Sequence, residues 1–146
     1  MTCYLGDYHR EMTGEADSWG CPLCVRAGTA QVLASNALAL AIPDGYPLSK
    51  GHVLVIPRRH IADLFDLEAE EQAAVWVLVA GVREVVQRSH RPAGFNIGVN
   101  VGAAAGQTVA HVHVHVIPRY LGDVPDPRGG VRWVLPDRAD YWSDRT

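Results

Sequence analysis

Six residues of the chain alternate strictly between histidine and valine, in the sequence HVHVHV from His111 to Val116. Alternation with a period of two is typical of a half-buried β-strand, because successive side chains point to opposite sides of a sheet. The pattern predicts a strand over residues 109–118 with the valines in the core. His111, His113 and His115 are expected to share the other face, where a strand that merely faces solvent usually carries other polar residues.

Three imidazoles in register point to imidazole chemistry, but the pattern leaves its kind open. Neutral imidazole, with a pKa of about 6.5, can attack phosphorus and later leave it. Histidines at alternate strand positions also suit zinc, and a surface stripe without function is the third alternative. The preceding segment GAAAGQT favours an anion site, because glycines such as Gly106 allow close backbone approach and Gln107 and Thr108 add uncharged donors.

The remaining sequence predicts an α+β domain with an antiparallel sheet. Apolar residues at helical spacing predict one main helix that begins near Asp66, buries Trp76 and ends at residues 88–94 around Pro92. The segment CPLC is expected to open a turn or a short helix. Further strands are predicted over residues 29–35, 37–42, 52–57 and 95–101, the first two joined by a turn at Ser35-Asn36.

The length of 146 residues fits one domain, which we place at residues 21–146 behind a loose N-terminal arm at residues 1–20. A net charge of −3 argues against a nucleic-acid-binding face, which usually needs a basic domain. The polar start lacks the apolar run of a secretory signal, and no stretch approaches the roughly 18 apolar residues of a membrane span. A cytoplasmic protein without nucleic-acid or membrane partners is expected.

Cys21 and Cys24 form a C-x-x-C pair whose role the spacing alone does not decide. Such a pair can be half of a zinc site, a redox pair or a chance occurrence. A redox role is disfavoured because the βαβ context typical of it is missing. A tetrahedral metal site needs two more ligands, and the chain has no second C-x-x-C to supply them.

The segment GQTVAHVHVHVIPR resembles the signature of the histidine triad (HIT) superfamily. It is most similar to the fragile-histidine-triad, or diadenosine polyphosphate hydrolase, branch and its short bacterial relatives. KGHVLVIPRRH and NIGVNVGAAAGQT resemble the family's earlier segments, and RYLGD and RGGVRWV resemble the tail of bacterial members. The resemblance covers roughly Cys21 to the C-terminus. It implies a HIT-like fold with an antiparallel sheet of about five strands, one main helix and a short helix. It also implies a homodimer across which the sheet continues.

The resemblance implies catalytic and binding roles for individual residues. The middle histidine, His113, would attack the α-phosphorus of a nucleotide and form a covalent nucleotidyl-histidine that water then hydrolyses. His115 would contact the phosphate or keep the nucleophile aligned, and His52 would orient the nucleophile. Gln107 and Thr108 would bind phosphate and assist the leaving group. The implied nucleotide-binding residues are Asp44, Asn100, Gly106, Gln107, Thr108, His113 and His115.

Each residue outside the triad also has an ordinary structural interpretation. His52 can cap a strand end, and Asp44 can belong to a turn. Asn100 can be a hydrogen-bonding residue at a strand end, and Gly106 can serve backbone geometry alone.

In some bacterial relatives, the cysteine pair is completed by a histidine shortly after the earlier strand and by the first triad histidine. The resemblance therefore implies one structural zinc held by Cys21, Cys24, His60 and His111. The other two triad histidines would remain for the phosphate. The alternative is a reduced thiol pair without metal, and no organic cofactor is expected.

The function that the resemblance implies is hydrolysis of dinucleoside polyphosphates of the diadenosine tri- or tetraphosphate type, with release of nucleoside monophosphate. An adenosine 5′-monophosphoramidase and a nucleotidyl transferase are near alternatives. A non-catalytic, zinc-stabilised nucleotide-binding protein and a hydrolase with a catalytic metal are rivals of other classes. Arg132 and Trp133, in the C-terminal tail, are candidates for shaping the substrate pocket.

Overall fold

Five antiparallel strands form the sheet in the computed structural model, which describes residues 20–143. They are β1 (Ala34–Ser35), β2 (Ala39–Pro43), β3 (Val53–Pro57), β4 (Gly94–Val99) and β5 (Val114–Arg119), and their order across the sheet is β1-β2-β3-β5-β4. Two α-helices accompany the sheet in this part of the chain, α1 (Pro22–Thr29) and α2 (Ala69–His90). The predicted α+β fold is confirmed. The proposed N-terminal arm lies outside the described residues except for Gly20.

The long helix α2 begins at Ala69, later than the start near Asp66 that the sequence predicted. Glu68 is its N-cap, and the side chains of Glu68 and Glu71 bond each other's backbone N–H in a capping box. Such a box satisfies N–H groups that have no partner within the first turn. Asp66 instead ends a separate 3₁₀ turn, Leu64–Asp66. The capping box therefore decides where the helix starts.

The two faces of the sheet carry different apolar clusters, as the alternation along each strand requires. Helix α2 covers the face formed by small and β-branched side chains: Ala39, Ala41, Val53, Val55, Val114 and Val116. Helix α1 contributes to the opposite cluster, which contains Leu23, Leu40, Ile42, Leu54 and Ile56. Strand β3 is buried along its whole length, which explains its uninterrupted apolar sequence. The strand at the centre of the sheet thus provides a rigid base for the residues at its two ends.

Three sequence predictions are wrong in extent or burial. The strand predicted over residues 29–35 is only two residues long, because α1 continues to Thr29. The strand predicted over residues 109–118 starts at Val114, because the Val112 amide bonds the Ile61 carbonyl instead of joining the sheet. Trp76, predicted in the core, is 45% exposed on the side of α2 that faces β4.

The 22-residue helix α2 is as long as a membrane span, but it carries several charged residues. No helix within residues 20–143 combines the length and the apolar character needed to cross a membrane.

Candidate active site and metal centre

The three triad histidines are divided between two clusters at the start of β5. Only His115 lies within the regular strand. His111 precedes the strand and contacts the cysteine pair, whereas the ring of His113 lies 5.0 Å from that of His115. The prediction that all three share one face of a continuous strand is therefore wrong for His111, which lies where the backbone has left the sheet to bond Ile61.

A Cys/His cluster, made of Cys21, Cys24, His60 and His111, assembles from three distant parts of the sequence. The antiparallel pairing of β3 with β5 puts the loop after β3 beside the segment before β5, which brings His60 next to His111. Helix α1 presents the two cysteines from its N-terminal end. One potential ligand atom of each side chain lies within 4.8 Å of the others.

The spacing within the Cys/His cluster fits a tetrahedral divalent metal. Cys24 Sγ is 3.3 Å from His60 Nδ1 and 3.4 Å from His111 Nδ1, and Cys21 Sγ is 3.7 Å from His111 Nδ1. With Zn–S of about 2.3 Å and Zn–N of about 2.0 Å, tetrahedral sulfur and nitrogen ligands lie about 3.5 Å apart. His111 Nε2 is 3.0 Å from the Pro57 carbonyl, which can only accept. Nε2 therefore carries the proton, and Nδ1 presents a lone pair to the cluster.

Near pH 7 the Cys/His cluster holds a protonated Cys24 thiol and a neutral His111 ring. Burial, together with the neighbouring Cys21, raises the pKa of the Cys24 thiol to about 11. Burial lowers the pKa of His111 to about 4, so its ring is neutral near pH 7. A divalent metal would displace the thiol protons and accept the imidazole lone pair, and its binding would release protons.

His113 is held as a buried imidazole with one nitrogen committed and the other available. Its Nδ1 lies 2.8 Å from the carbonyl oxygen of His111, and only the ring nitrogen can donate in that contact. The neutral ring therefore has its lone pair on Nε2. The residue is 8% exposed, so bulk water has little access to the ring.

A hydrogen-bond relay sets the proton positions on His52 and His115. The amide N–H of Leu48 donates to His52 Nδ1 at 3.2 Å, so the neutral His52 ring carries its proton on Nε2. That Nε2–H donates to His115 Nδ1 at 3.0 Å. A neutral His115 consequently carries its proton on Nε2, as a donor beside His113. Asp44 flanks the relay, with Oδ2 3.4 Å from His52 Nε2 and 3.8 Å from His115 Nδ1.

Burial keeps both relay histidines neutral near pH 7. It lowers the pKa of His115 to about 4, helped by repulsion from His113 and His52 and opposed by the carboxylate of Asp44. Burial also lowers the pKa of His52, again against the attraction of Asp44. Neutral rings are what the relay requires, because each must accept on one nitrogen and donate from the other.

Asp44, His52 and His115 also bring three potential metal ligands within 4.8 Å of one another. The tautomers disfavour a metal at this place. His52 accepts the Leu48 N–H at Nδ1, so the nitrogen that faces the other two groups is protonated. The arrangement fits a hydrogen-bond relay better than a catalytic metal site.

The buried side chain of Gln107 holds the glycine-rich loop together through hydrogen bonds. Its side-chain oxygen accepts from the amide of Gly102, and its nitrogen donates to the carbonyls of Ala62 and Val109. Both amide hydrogens are therefore used, and Gln107 in this conformation shapes the loop without donating to a phosphate. Thr108, the next residue, is exposed.

The other residues singled out from the sequence lie around the same end of the sheet. Gly106 has a φ of +83°, a conformation that residues with a Cβ rarely adopt. The glycine is therefore needed for the backbone geometry of the loop. Asn100 directly follows β4, and continuing the register of β4 with β5 places it opposite His113. Asp44 serves both of its interpretations, because Oδ1 accepts a turn amide at 2.7 Å while Oδ2 faces the histidines.

Comparison with known proteins identifies the family. The HIT domain model matches residues 26–122. The chain belongs to the HIT family. The AP-4-A phosphorylase of Mycobacterium tuberculosis (strain CDC 1551 / Oshkosh) is 40% identical over 93 residues, which are 63% of this chain and 48% of that protein. The asymmetrical bis(5′-nucleosyl)-tetraphosphatase of Schizosaccharomyces pombe is 41% identical over 93 residues, 64% of this chain and 51% of that protein. This HIT chain thus spans about half the length of these two relatives.

A solved structure supports the same assignment. The crystal structure of a Zn-bound histidine triad family protein from Mycobacterium smegmatis superposes with a TM-score of 0.66 at 34% identity, covering 81% of this chain and 92% of that one. The resemblance and the HIT fold predicted from the sequence are confirmed.

Sequence reasoning missed the residues that fasten this HIT site from outside the triad. The Ser49 hydroxyl donates to the Pro118 carbonyl at 2.6 Å, and the Tyr120 hydroxyl donates to the Lys50 carbonyl at 2.7 Å. Both bonds act on the loop that supplies the Leu48 amide. The sequence offered only the Pro and Gly content of that loop, which predicts a turn but no contacts.

The C-terminal tail of the chain forms one wall of a cavity of about 590 Å³, here called the tail cavity. The tail contributes the 3₁₀ turn Gly130–Val134, in which Trp133 lines the cavity. Ile117, two residues beyond His115 on β5, lines it from the sheet. Arg132 instead donates to two carbonyls of the tail itself. Of the two tail candidates, only Trp133 lines this cavity.

Proposed function

We propose that the protein hydrolyses dinucleoside polyphosphates through a covalent nucleotidyl-histidine on His113. The observation that carries this proposal is the 2.8 Å bond from His113 Nδ1 to the His111 carbonyl, which leaves the Nε2 lone pair of a buried ring available. An imidazole in that state is a nucleophile for phosphorus. The names of two relatives, an AP-4-A phosphorylase and a bis(5′-nucleosyl)-tetraphosphatase, support this substrate class.

The reaction has two half-reactions at one phosphorus. First, His113 Nε2 bonds to the α-phosphorus while the bond to the leaving polyphosphate oxygen breaks. The ring becomes positively charged but keeps Nδ1–H, and the His111 carbonyl stabilises that charge by accepting the N–H. His115 Nε2–H donates to a phosphate oxygen as charge develops. Second, water attacks the same phosphorus, the N–P bond breaks, and nucleoside monophosphate leaves with one proton released.

The surrounding side chains divide into those that meet the nucleotide and those that shape the loop. The Asp44 carboxylate, beside the relay, would accept hydrogen bonds from ribose hydroxyls. Thr108 offers an exposed hydroxyl to the phosphate, and Asn100 offers an amide opposite the nucleophile. Gly106 and Gln107 shape the loop. The backbone N–H groups of both residues and the side-chain N–H groups of Gln107 already donate to carbonyls.

We assign the Cys/His cluster to one structural zinc ion. Two thiolates and two imidazoles would hold it, from Cys21, Cys24, His60 and His111. The ion would cross-link α1 to the ends of β3 and β5 and stabilise the fold. Because the His111 carbonyl orients His113, the same cross-link would also hold the nucleophile in place. Zinc in the Mycobacterium smegmatis relative supports the assignment, and free thiols suit the cytoplasm, where we expect the protein.

We infer that the tail cavity receives the leaving group. Its sheet residue Ile117 is two positions along β5 from His115, about 7 Å at the usual rise of a strand. Trp133, from the tail, adds a flat aromatic surface to the lining. A leaving nucleotide can therefore extend from the phosphate site into this cavity.

Turnover of diadenosine tetraphosphate and of adenosine 5′-monophosphoramidate by the full chain tests the proposal. We expect release of AMP, unaffected by brief exposure to a chelator, and a loss on the order of 10⁴-fold or more in His113→Ala. Leu121→Ala, at a fully exposed site, is the matched control. Activity retained by a folded His113→Ala chain would overturn the mechanism.

The products of the same assay separate the alternatives. Formation of ADP in phosphate buffer would assign a phosphorylase, which transfers the nucleotide to phosphate. Faster turnover of the phosphoramidate would assign a phosphoramidase. Activity that a chelator abolishes in a folded chain would support a catalytic metal. Binding of AMP without any turnover would leave the zinc-stabilised nucleotide-binding protein.

We also propose a homodimer in which β4 pairs with its copy. Strand β4 is an edge of the described sheet, and an edge strand can pair with a second chain. Beside it, Trp76 of α2 and Ile97 of β4 line an apolar groove and are 45% and 38% exposed. Sedimentation should give a dimer for the natural chain and for Leu121→Lys, but a monomer for Ile97→Lys. A monomeric natural chain would contradict the proposal.

A further inference from the structure

The proton on His52 is positioned by one backbone amide in the loop between β2 and β3. The Leu48 N–H donates to His52 Nδ1 and so favours the proton on Nε2, where the Asp44 carboxylate lies 3.4 Å away. Main-chain bonds close the loop, because the His52 amide donates to the Ser49 carbonyl at 3.1 Å and the Asp44 amide donates to the His52 carbonyl at 3.0 Å. These bonds define the shape of the loop, but they do not attach it to the rest of the sheet.

Two hydroxyl groups attach the loop to the far end of β5. Ser49 donates to the Pro118 carbonyl at 2.6 Å, and Tyr120 donates to the Lys50 carbonyl at 2.7 Å. Tyr120 is itself held, since its amide donates to Asp123 at 3.0 Å. The loop is thus bonded to the strand that carries His115.

Helix α2 closes the other side of the loop. Gly51 has a φ of +85°, and a Cβ at this position would lie 2.1 Å from Cδ2 of His90, the last residue of α2. The glycine backbone therefore lies directly against the imidazole ring. Between α2 on one side and the two hydroxyl bonds on the other, the Leu48 amide has little freedom to leave His52.

We propose that Ser49 and Tyr120 are positioning residues, which fix the tautomers of His52 and His115 by holding the Leu48 amide in place. If the loop moves away, His52 can carry its proton on Nδ1 and accept at Nε2. His115 would then donate from Nδ1, and its Nε2 would lose the proton that faces the phosphate. One displaced amide therefore opens the second tautomer to both rings. The effect on turnover rests on the function proposed above, whereas the effect on the tautomers does not.

The direct test is ¹⁵N NMR of the histidine rings in the full chain near pH 7. His52→Gln and His115→Gln assign the two sets of signals. The natural chain and Tyr46→Phe, a tyrosine of the same loop whose side chain is exposed, should show Nε2–H on both rings. Ser49→Ala combined with Tyr120→Phe should show mixed tautomers. When Ser49→Thr, which keeps the hydroxyl, takes the place of Ser49→Ala in that double variant, the natural pattern should return.

Steady-state kinetics of the same chains give the second measurement. We expect kcat to fall about fivefold in each single variant and about 25-fold in the double variant, as for the loss of one neutral hydrogen bond each, with KM little changed. Tautomers that stay the same in the double variant would overturn the inference, even if kcat fell. If the double variant changes the tautomers but the natural chain shows no turnover, the result would support the inference and contradict the proposed function.

Discussion

His115 allows a quantitative test of the idea that burial keeps the relay neutral. Its pKa is lowered to about 4 in the folded chain, against about 6.5 in an unfolded chain. Between these two values the unfolded chain binds a proton at this site and the folded chain does not, so the free energy of unfolding decreases as the pH falls. The stability is fully present above about pH 6.5, and between pH 7 and pH 5 His115 alone should remove about 2 kcal/mol.

Urea unfolding at pH 7 and pH 5 measures this contribution by difference. The natural chain should lose about 2 kcal/mol more stability over this interval than His115→Gln, which has no titrating ring. His111, whose pKa is also lowered to about 4, is present in both chains, so its contribution cancels. Leu121→Gln, at an exposed site, should keep the full pH dependence of the natural chain. Equal losses in the natural chain and in His115→Gln would refute the reasoning.

Three further predictions concern the metal, the loop and the backbone. Replacing Cys24 by serine should abolish zinc retention after dialysis, measured by atomic emission, whereas Cys3→Ser, outside the described residues, should not. Gln107→Leu should lower the free energy of unfolding by about 2–4 kcal/mol, because one buried amide and two carbonyls lose their partner; an unchanged urea midpoint would disprove this. Gly51→Ala should lower Tm by several degrees, whereas Gly28→Ala, which has open space around it, should not.

Residue patterns predicted the elements better than their ends. Alternation along β5 and helical spacing along α2 report which side chains are buried, and both elements are present. Their starts depend on single contacts that the patterns do not contain. The capping box of Glu68 and Glu71 starts α2 at Ala69, and the bond of the Val112 amide to Ile61 delays β5. The burial pattern repeats along an element and so is visible in the sequence, whereas the end of an element depends on one contact.

The candidate metal ligands show what a resemblance adds. Spacing along the chain relates Cys21 to Cys24 only, because they occupy the first turn of one helix. His60 and His111 are far from them in sequence, and only the pairing of β3 with β5 brings the four side chains together. The resemblance to the HIT family supplied that set in advance, whereas the residue types alone left a redox pair and a chance occurrence open.

The sequence by itself determined a strand with valines on one side, histidines suited to phosphorus chemistry, and membership in the HIT family. Only the tertiary structure decided which histidine does what. His111, His113 and His115 are chemically identical, and they differ because each has a different neighbour. The Pro57 carbonyl keeps the proton of His111 on Nε2, the His111 carbonyl keeps that of His113 on Nδ1, and the Leu48 amide, by way of His52, keeps that of His115 on Nε2. A tautomer depends on a neighbour at about 3 Å, and the neighbour is brought there by the fold.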